Sequence, residues 1–136
     1  MYELFEHTSD LGLRIKAPGL DALFREAATG LFSMIAEEWR PGGATRKFEF
    51  KLRADSNDTL LFDWLSELLY TFHTERTLLG EFEVKVEGGK LEARATGTPL
   101  DHAVHQLLHE VKAITYHGLR VEQADGGWLA EVIVDI

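Results

Sequence analysis

Apolar and polar residues alternate along several short stretches of this chain. Leu11, Leu13 and Ile15 are separated by Gly12 and Arg14, and Phe48, Phe50 and Leu52 by Glu49 and Lys51. Side chains on a strand repeat every two residues, so both stretches read as strands with one buried face. Residues 2–7 read as a further short strand ahead of the first. Pro18-Gly19 then breaks the pattern. Beyond it Leu20, Leu23, Phe24, Ala27, Leu31, Met34 and Ile35 recur at intervals of three and four, which predicts an amphipathic helix over 20–37. Pro41-Gly42-Gly43 closes that unit. Leu60, Leu61, Trp64, Leu65, Leu68, Leu69 and Phe72 predict a second helix. Asp55-Ser56-Asn57-Asp58 ahead of it offers side-chain oxygens to the free N–H groups of its first turn.

Period two returns with Phe82, Val84 and Val86, and Gly88-Gly89 reverses the chain into Leu91, Ala93 and Ala95, a hairpin. Residues 99–109 fit neither period; His102, His105 and His109 lie there on a helical turn or an irregular loop. A strand is predicted from Lys112 through Val121, and Gly126-Gly127 turns it into a last strand, Trp128 to Ile136. Two helices cannot cover both faces of a large parallel sheet. The predicted fold is therefore α+β, a mixed or mostly antiparallel sheet with two main amphipathic helices packed on it, in a single domain over residues 1–136.

Composition narrows the function. There is no cysteine, which removes thiolate metal sites and disulfides. The opening MYELFEHTSD has no apolar run and no stretch is long enough to span a bilayer, so a cytoplasmic location is expected. Fourteen Lys and Arg stand against 23 Asp and Glu, a formal net charge of −9. Tight nucleic-acid binding needs a basic patch to neutralise phosphates, and the densest basic group, Arg46, Lys47, Lys51 and Arg53, is interrupted by Glu49. A role beside nucleic acid, through a protein partner, stays open.

Three places could carry chemistry. Val132-Ile133-Val134 is a buried-strand run that stops at Asp135-Ile136, placing carboxylate oxygens at a fixed sheet edge where a hard divalent cation finds ligands; the plainer reading makes Asp135 a polar end-stop. His7-Thr8-Ser9-Asp10 reads either as a ligand or acid/base cluster or as a turn. Lys112, at the start of a predicted strand, reads either as a point charge for a phosphate or carboxylate or as a surface lysine. On a strand Lys112 and His117 point to opposite faces. Asp55 and Asp58 read as helix caps. A zinc site at His102, His105 and His109 lacks the HExxH pattern, and the phosphate-loop, nucleophile-elbow and dinucleotide motifs are absent.

Three segments together resemble a known family. His7-Thr8-Ser9-Asp10-Leu11-Gly12 resembles an HTAD-[IL]-G opening, and Leu60-Leu61-Phe62-Asp63-Trp64-Leu65-Ser66-Glu67-Leu68-Leu69-Tyr70 an LL-x-x-WL-x-ELLY helix. Glu110-Val111-Lys112-Ala113-Ile114-Thr115-Tyr116-His117, Trp128 and the ending Val132-Ile133-Val134-Asp135-Ile136 resemble E-[IV]-KA-[IV]-TYH … W … VI-x-DI. This is the pattern of the archease family. Ser9 replaces the usual alanine, and Asp55-Ser56 departs from the family's acidic position there, so no ligand role is carried onto it. The resemblance implies an accessory protein, not an enzyme, that activates a guanylate-dependent tRNA-splicing or RNA-repair ligase by promoting its guanylylation and multiple turnover. It implies a metal site at Asp10, Asp135 and Ile136, the last through a main-chain or terminal oxygen, and an assisting role for Lys112. The ion it implies is Ca2+, with Mg2+ or Mn2+ as alternatives. Asp10 and Asp135 must then be neighbours. The rivals are a stand-alone metal-dependent phosphoester hydrolase and a chaperone-like binding module.

Overall fold

The computed structural model describes residues 1–7, 10–37, 39–42 and 45–136. Its elements run β1 (Tyr2–His7), β2 (Asp10–Ala17), α1 (Leu20–Ile35), β3 (Arg46–Arg53), α2 (Asn57–Glu75), β4 (Thr77–Glu87), β5 (Lys90–Pro99), β6 (Ala113–Ile114), β7 (Arg120–Ala124) and β8 (Gly127–Asp135). The class is the predicted α+β. The strands divide into two sheets: β1-β2-β8-β6, with β7 also paired to β8, and β3-β5-β4. Every ladder among the described residues is antiparallel.

Two elements differ from expectation. The predicted 112–121 strand is two short pieces, because the chain turns between them: Leu119 N–H donates to the Tyr116 carbonyl at 3.2 Å, and Gly118 takes φ 63, which glycine adopts without a Cβ penalty. β4 begins at Thr77, ahead of the visible alternation. A bulge between Gly80 and Glu83, with Glu81 at φ 49, shifts the period there, so only the part beyond it alternates cleanly.

The helices touch both sheets. α1 packs on β2 and on β4, and α2 on β3, β4 and β5 as well as β6 and β7. Burial on α1 accordingly spreads beyond one narrow stripe, through Ala27, Ala28, Gly30 and Phe32. Gly30 lets the helix sit close on the large sheet, since a Cβ there would lie 2.6 Å from Leu13 Cδ1. Phe32 meets Phe72 and Phe82 at 6.1 Å each. The buried indole of Trp64 donates to the Phe24 carbonyl at 3.0 Å, joining the helices.

Residues 99–109 are irregular. Leu108 N–H donates to the Ile35 carbonyl at 2.9 Å and His109 N–H to that of Met34 at 3.1 Å. The loop thus supplies donors to carbonyls at the end of α1 that the helix itself leaves free. In the acidic cluster before α2, Ser56 is the cap: its hydroxyl accepts from Thr59 N–H at 3.1 Å. Asp58 instead accepts from Val121 N–H on β7 at 2.7 Å, and Asp21 from Val86 N–H on β4 at 2.7 Å.

Candidate metal centre

β2 and β8 pair through Leu11↔Val134 and Gly12↔Ile133. One further step along both strands sets Asp10 opposite Asp135. β1 adds the pair His7↔Asp10 and β6 the pair Ala113↔Asp135. The N–H of Lys112 donates to the Asp135 carbonyl at 2.7 Å, so the same step beyond Ala113 brings Lys112 to Ile136. The backbones of Asp10, Asp135, Ile136 and Lys112 therefore lie at one end of the large sheet, where Ala113 shares the face of Asp135 and Lys112 alternates to the other. The Thr8-Ser9 turn expected beside them lies outside the described residues.

Alternation fixes the faces. Leu11, Leu13, Ile15, Val132 and Val134 are buried toward the helices. Asp10 and Asp135 belong to the opposite face, with Gly12, Arg14 and Glu131. Directly opposed residues on antiparallel strands have Cβ atoms about 4.5–5.5 Å apart, and like charges there repel. A cation between the carboxylates removes that repulsion, and oxygen donors suit a hard divalent ion. Among the described residues neither carboxylate is hydrogen-bonded or ion-paired, in contrast to Asp21 and Asp58. The residues thus fit such an ion. Among the described residues no three His, Asp or Glu side chains gather in a metal-holding group; main-chain oxygens, Ile136 among them, and water can add ligands.

The same face carries an ion-pair ladder across four strands. Arg14 donates to Glu3 at 3.0 Å and to Glu131 at 3.2 Å; Arg120 donates to Glu131 and, at 2.7 Å, to Glu122. The hydrogen bond from Arg120 holds the Glu131 carboxyl below its ordinary range, against partial burial and with help from the charges of Arg120 and Arg14. Arg14 is raised, chiefly by its hydrogen bond to Glu3, and Arg120 chiefly by Glu131. Between ladder and edge, Phe5 covers Gly12, where any side chain would run into its ring, and Arg14 lies over that ring at 4.7 Å.

Lys112 is exposed and, among the described residues, has no ion pair. Its backbone is held on both sides: the buried Val111 carbonyl lies 3.1 Å from His73 Nε2, and Thr115 donates its N–H and hydroxyl to the Ile133 carbonyl at 3.0 and 2.8 Å. Tyr116 stacks on Phe62 of α2, with centroids 3.9 Å apart and planes at 11°. The segment from Val111 to Val121 thus runs along α2 from its end to its start, through His73, Phe62 and Asp58. Sequence reasoning missed these three anchors, and no local spacing announces them. The histidines considered for zinc do not gather: His105 Nδ1 accepts from Asp101 N–H at 3.0 Å and its ring meets Trp39 edge-on at 6.4 Å.

Residues 2–136 match the archease protein family (MTH1598/TM1083). The chain belongs to the archease family. It is 37% identical to an archease of Methanopyrus kandleri, with 99% of each chain covered. It is 35% identical to one of Methanosarcina mazei, covering 99% of this chain and 95% of the relative. The solution structure of Methanobacterium thermoautotrophicum protein 1598 superposes with a TM-score of 0.78 at 31% identity, over 99% of this chain and 98% of that one. A Thermotoga maritima archease, described as a possible chaperone, shares the fold with a TM-score of 0.69 at 19% identity, over 100% and 98% of the two chains. As an archease, the chain has, among its described residues, no helix long and apolar enough to cross a membrane.

Proposed function

We propose that this protein is a non-enzymatic partner of a guanylate-dependent RNA ligase in tRNA splicing or RNA repair, promoting guanylylation of the ligase and its return to further turnovers. Asp10, Asp135 and a main-chain oxygen of Ile136 hold a divalent cation, Ca2+ foremost, with Mg2+ or Mn2+ as alternatives. When bound, the cation supplies positive charge for a triphosphate. Lys112 adds its ammonium as a second point charge beside that edge. Guanylyl transfer depends mainly on positioning and charge neutralisation, which an edge of this composition can provide without reacting itself. The net charge of −9 favours rapid association with a cationic ligase surface.

The observation that carries this reading is the register: it continues from Leu11↔Val134 to two carboxylates opposed on adjacent strands, with Lys112 bonded to the backbone of one of them. The test is guanylylation of a cognate ligase with labelled GTP at limiting ligase. Wild type should raise turnover, Asp135→Ala should abolish the increase, and Lys112→Ala should reduce it. Equal stimulation by all three would remove the edge from the mechanism. No stimulation by wild type would refute the ligase reading itself.

A further inference from the structure

An edge strand carries unpaired N–H and C=O groups that can template a further strand, and folded proteins blunt such edges with cations, bulges or a covering element. Most sheet edges among the described residues are blunted in this way. The edge strand β3 carries Arg46, Lys47, Lys51 and Arg53. β4 is bulged between Gly80 and Glu83 and packs closely on α1. On the far side of β8, β6 is two residues long, and Asp58 of α2 takes up the Val121 N–H of β7. β1 differs. It contains no Lys, Arg or Pro, pairs with β2 without a register shift, and has no strand on its other side. None of Tyr2 to Glu6 is buried, and Leu4 and the preceding Met1 are 40% and 64% exposed.

The backbone bonds and the side chains of β1 together select its occupant. Met1 and Lys16 exchange both backbone bonds, at 2.9 and 2.8 Å. Bonded and non-bonded pairs alternate along an antiparallel ladder. Glu3 and Phe5 therefore bond to β2, and the N–H and C=O of Tyr2, Leu4 and Glu6 point away from it. An antiparallel second copy of β1, centred on Leu4, sets Leu4 opposite Leu4 and Tyr2 opposite Glu6. Every outward group of these residues then has a partner; any other two-fold register leaves some of them unpaired. On the open face Glu3 falls opposite Phe5 of the other copy, in a non-bonded pair where side chains approach most closely. That ring carries the Arg14 guanidinium of its own copy at 4.7 Å. Glu3, which accepts from its own Arg14 at 3.0 Å, thus reaches a second guanidinium. The two Glu3 carboxylates lie diagonally across the axis, each beside Arg14 of both copies. On the helix side Leu4 covers Leu4, and Glu6 meets Tyr2 rather than a like charge. Glu26 of α1 is held by the Met1 amine at 3.7 Å. α1 packs more on β2 than on β1. The two β2 strands would stand three strand spacings apart, about 14 Å, and packed helices need only about 8–10 Å.

We infer that β1 pairs with β1 of a second copy of this chain about Leu4, joining the two large sheets into one. The axis of such a joint is perpendicular to the sheet, so both open faces look the same way. The two Asp10–Asp135 ends then point in opposite directions, each separated from the joint by its own β1. The inference is independent of the ligase reading. The joint is small and a net charge of −9 on each copy opposes it, so association is transient and tightens as salt screens the repulsion.

The experiment follows the mass of the protein by sedimentation velocity from about 10 µM to about 1 mM. Wild type should move from monomer toward dimer, and further at about 0.5 M than at about 0.05 M NaCl. Leu4→Lys sets two ammonium groups at the axis and should raise the dimer Kd about tenfold or more. Leu4→Pro removes an N–H that the pairing with β2 does not use, and should act in the same direction. Thermal melting confirms that each variant is folded. Amide exchange of the wild type, read by NMR, locates the joint without any substitution. The outward amides of Leu4 and Glu6 should slow as concentration rises, and those of Arg46–Arg53 should not. A wild type that stays monomeric throughout overturns the inference. So does a dimer that keeps its Kd in both folded Leu4 variants, or one whose slowed amides lie on β3 or α2 instead of β1.

Discussion

Glu131 sits between two guanidinium groups, Arg14 on one neighbouring strand and Arg120 on the other. Its folded-state pKa is lowered, so the stability it contributes is complete above the unfolded carboxylate value and drains away as pH falls through the folded value. Glu131→Gln should therefore be less stable than wild type at about pH 7, and the gap should shrink toward about pH 3. Urea midpoints at the two pH values measure this; a gap that widens in acid would contradict it. Some single-residue chemistry is legible without a structure. Asp10 and Asp135 each end an alternating run, so their backbone positions follow from the strands that carry them. Asp58 shows the limit: in sequence it is one of four possible caps, and its bond to Val121 depends on a contact between residues far apart in the chain.

α2 is an element with two tasks. Its buried face fills the core, while its flank holds the Val111–Val121 segment that contains Lys112. Removing one anchor tests the second task. Asp58→Ala leaves the Val121 N–H without its acceptor, at a cost of about 1–3 kcal/mol. It should lower the thermal midpoint and speed hydrogen exchange in β7 more than in β3, with exchange by mass spectrometry as the readout. Equal changes in both strands would make Asp58 a general stabiliser rather than a local tether. Both helices were plain in the sequence because a three-and-four apolar repeat sustained over four turns has no strand equivalent. The segment beyond Lys112 reads as one strand in sequence because alternation cannot show that the chain leaves the ladder after Ile114 and rejoins it at Arg120.

The whole molecule ties its candidate site to its global stability, since Asp10 and Asp135 belong to strands that form only on folding. A ligand that binds the folded state alone stabilises it by about 2.7 kcal/mol at a hundredfold excess over its Kd. Ca2+, Mg2+ or Mn2+ should accordingly raise the melting temperature by several degrees, and Asp10→Asn/Asp135→Asn should remove the response. An undiminished shift in that variant would place the ion elsewhere. The division into two sheets was the least legible feature. Each strand shows that it has a buried face, but the choice of neighbour is made by contacts such as Phe32 with Phe82 and Gly30 with Leu13, which no local pattern encodes.

β8 is the last strand in the sequence and an interior strand of the large sheet, with β2 on one side and β6 and β7 on the other. A ribosome releases it after every strand it must join. Until then β2 has only β1 as partner, and β6 and β7 have no ladder at all. The small sheet can close earlier, because β3, β4 and β5 lie together in the middle of the chain. Synthesis therefore leaves half the architecture waiting, and a chain interrupted before Gly127 would carry neither a finished large sheet nor an opposed pair of aspartates. Emergence of β8 and assembly of the acidic edge become the same event.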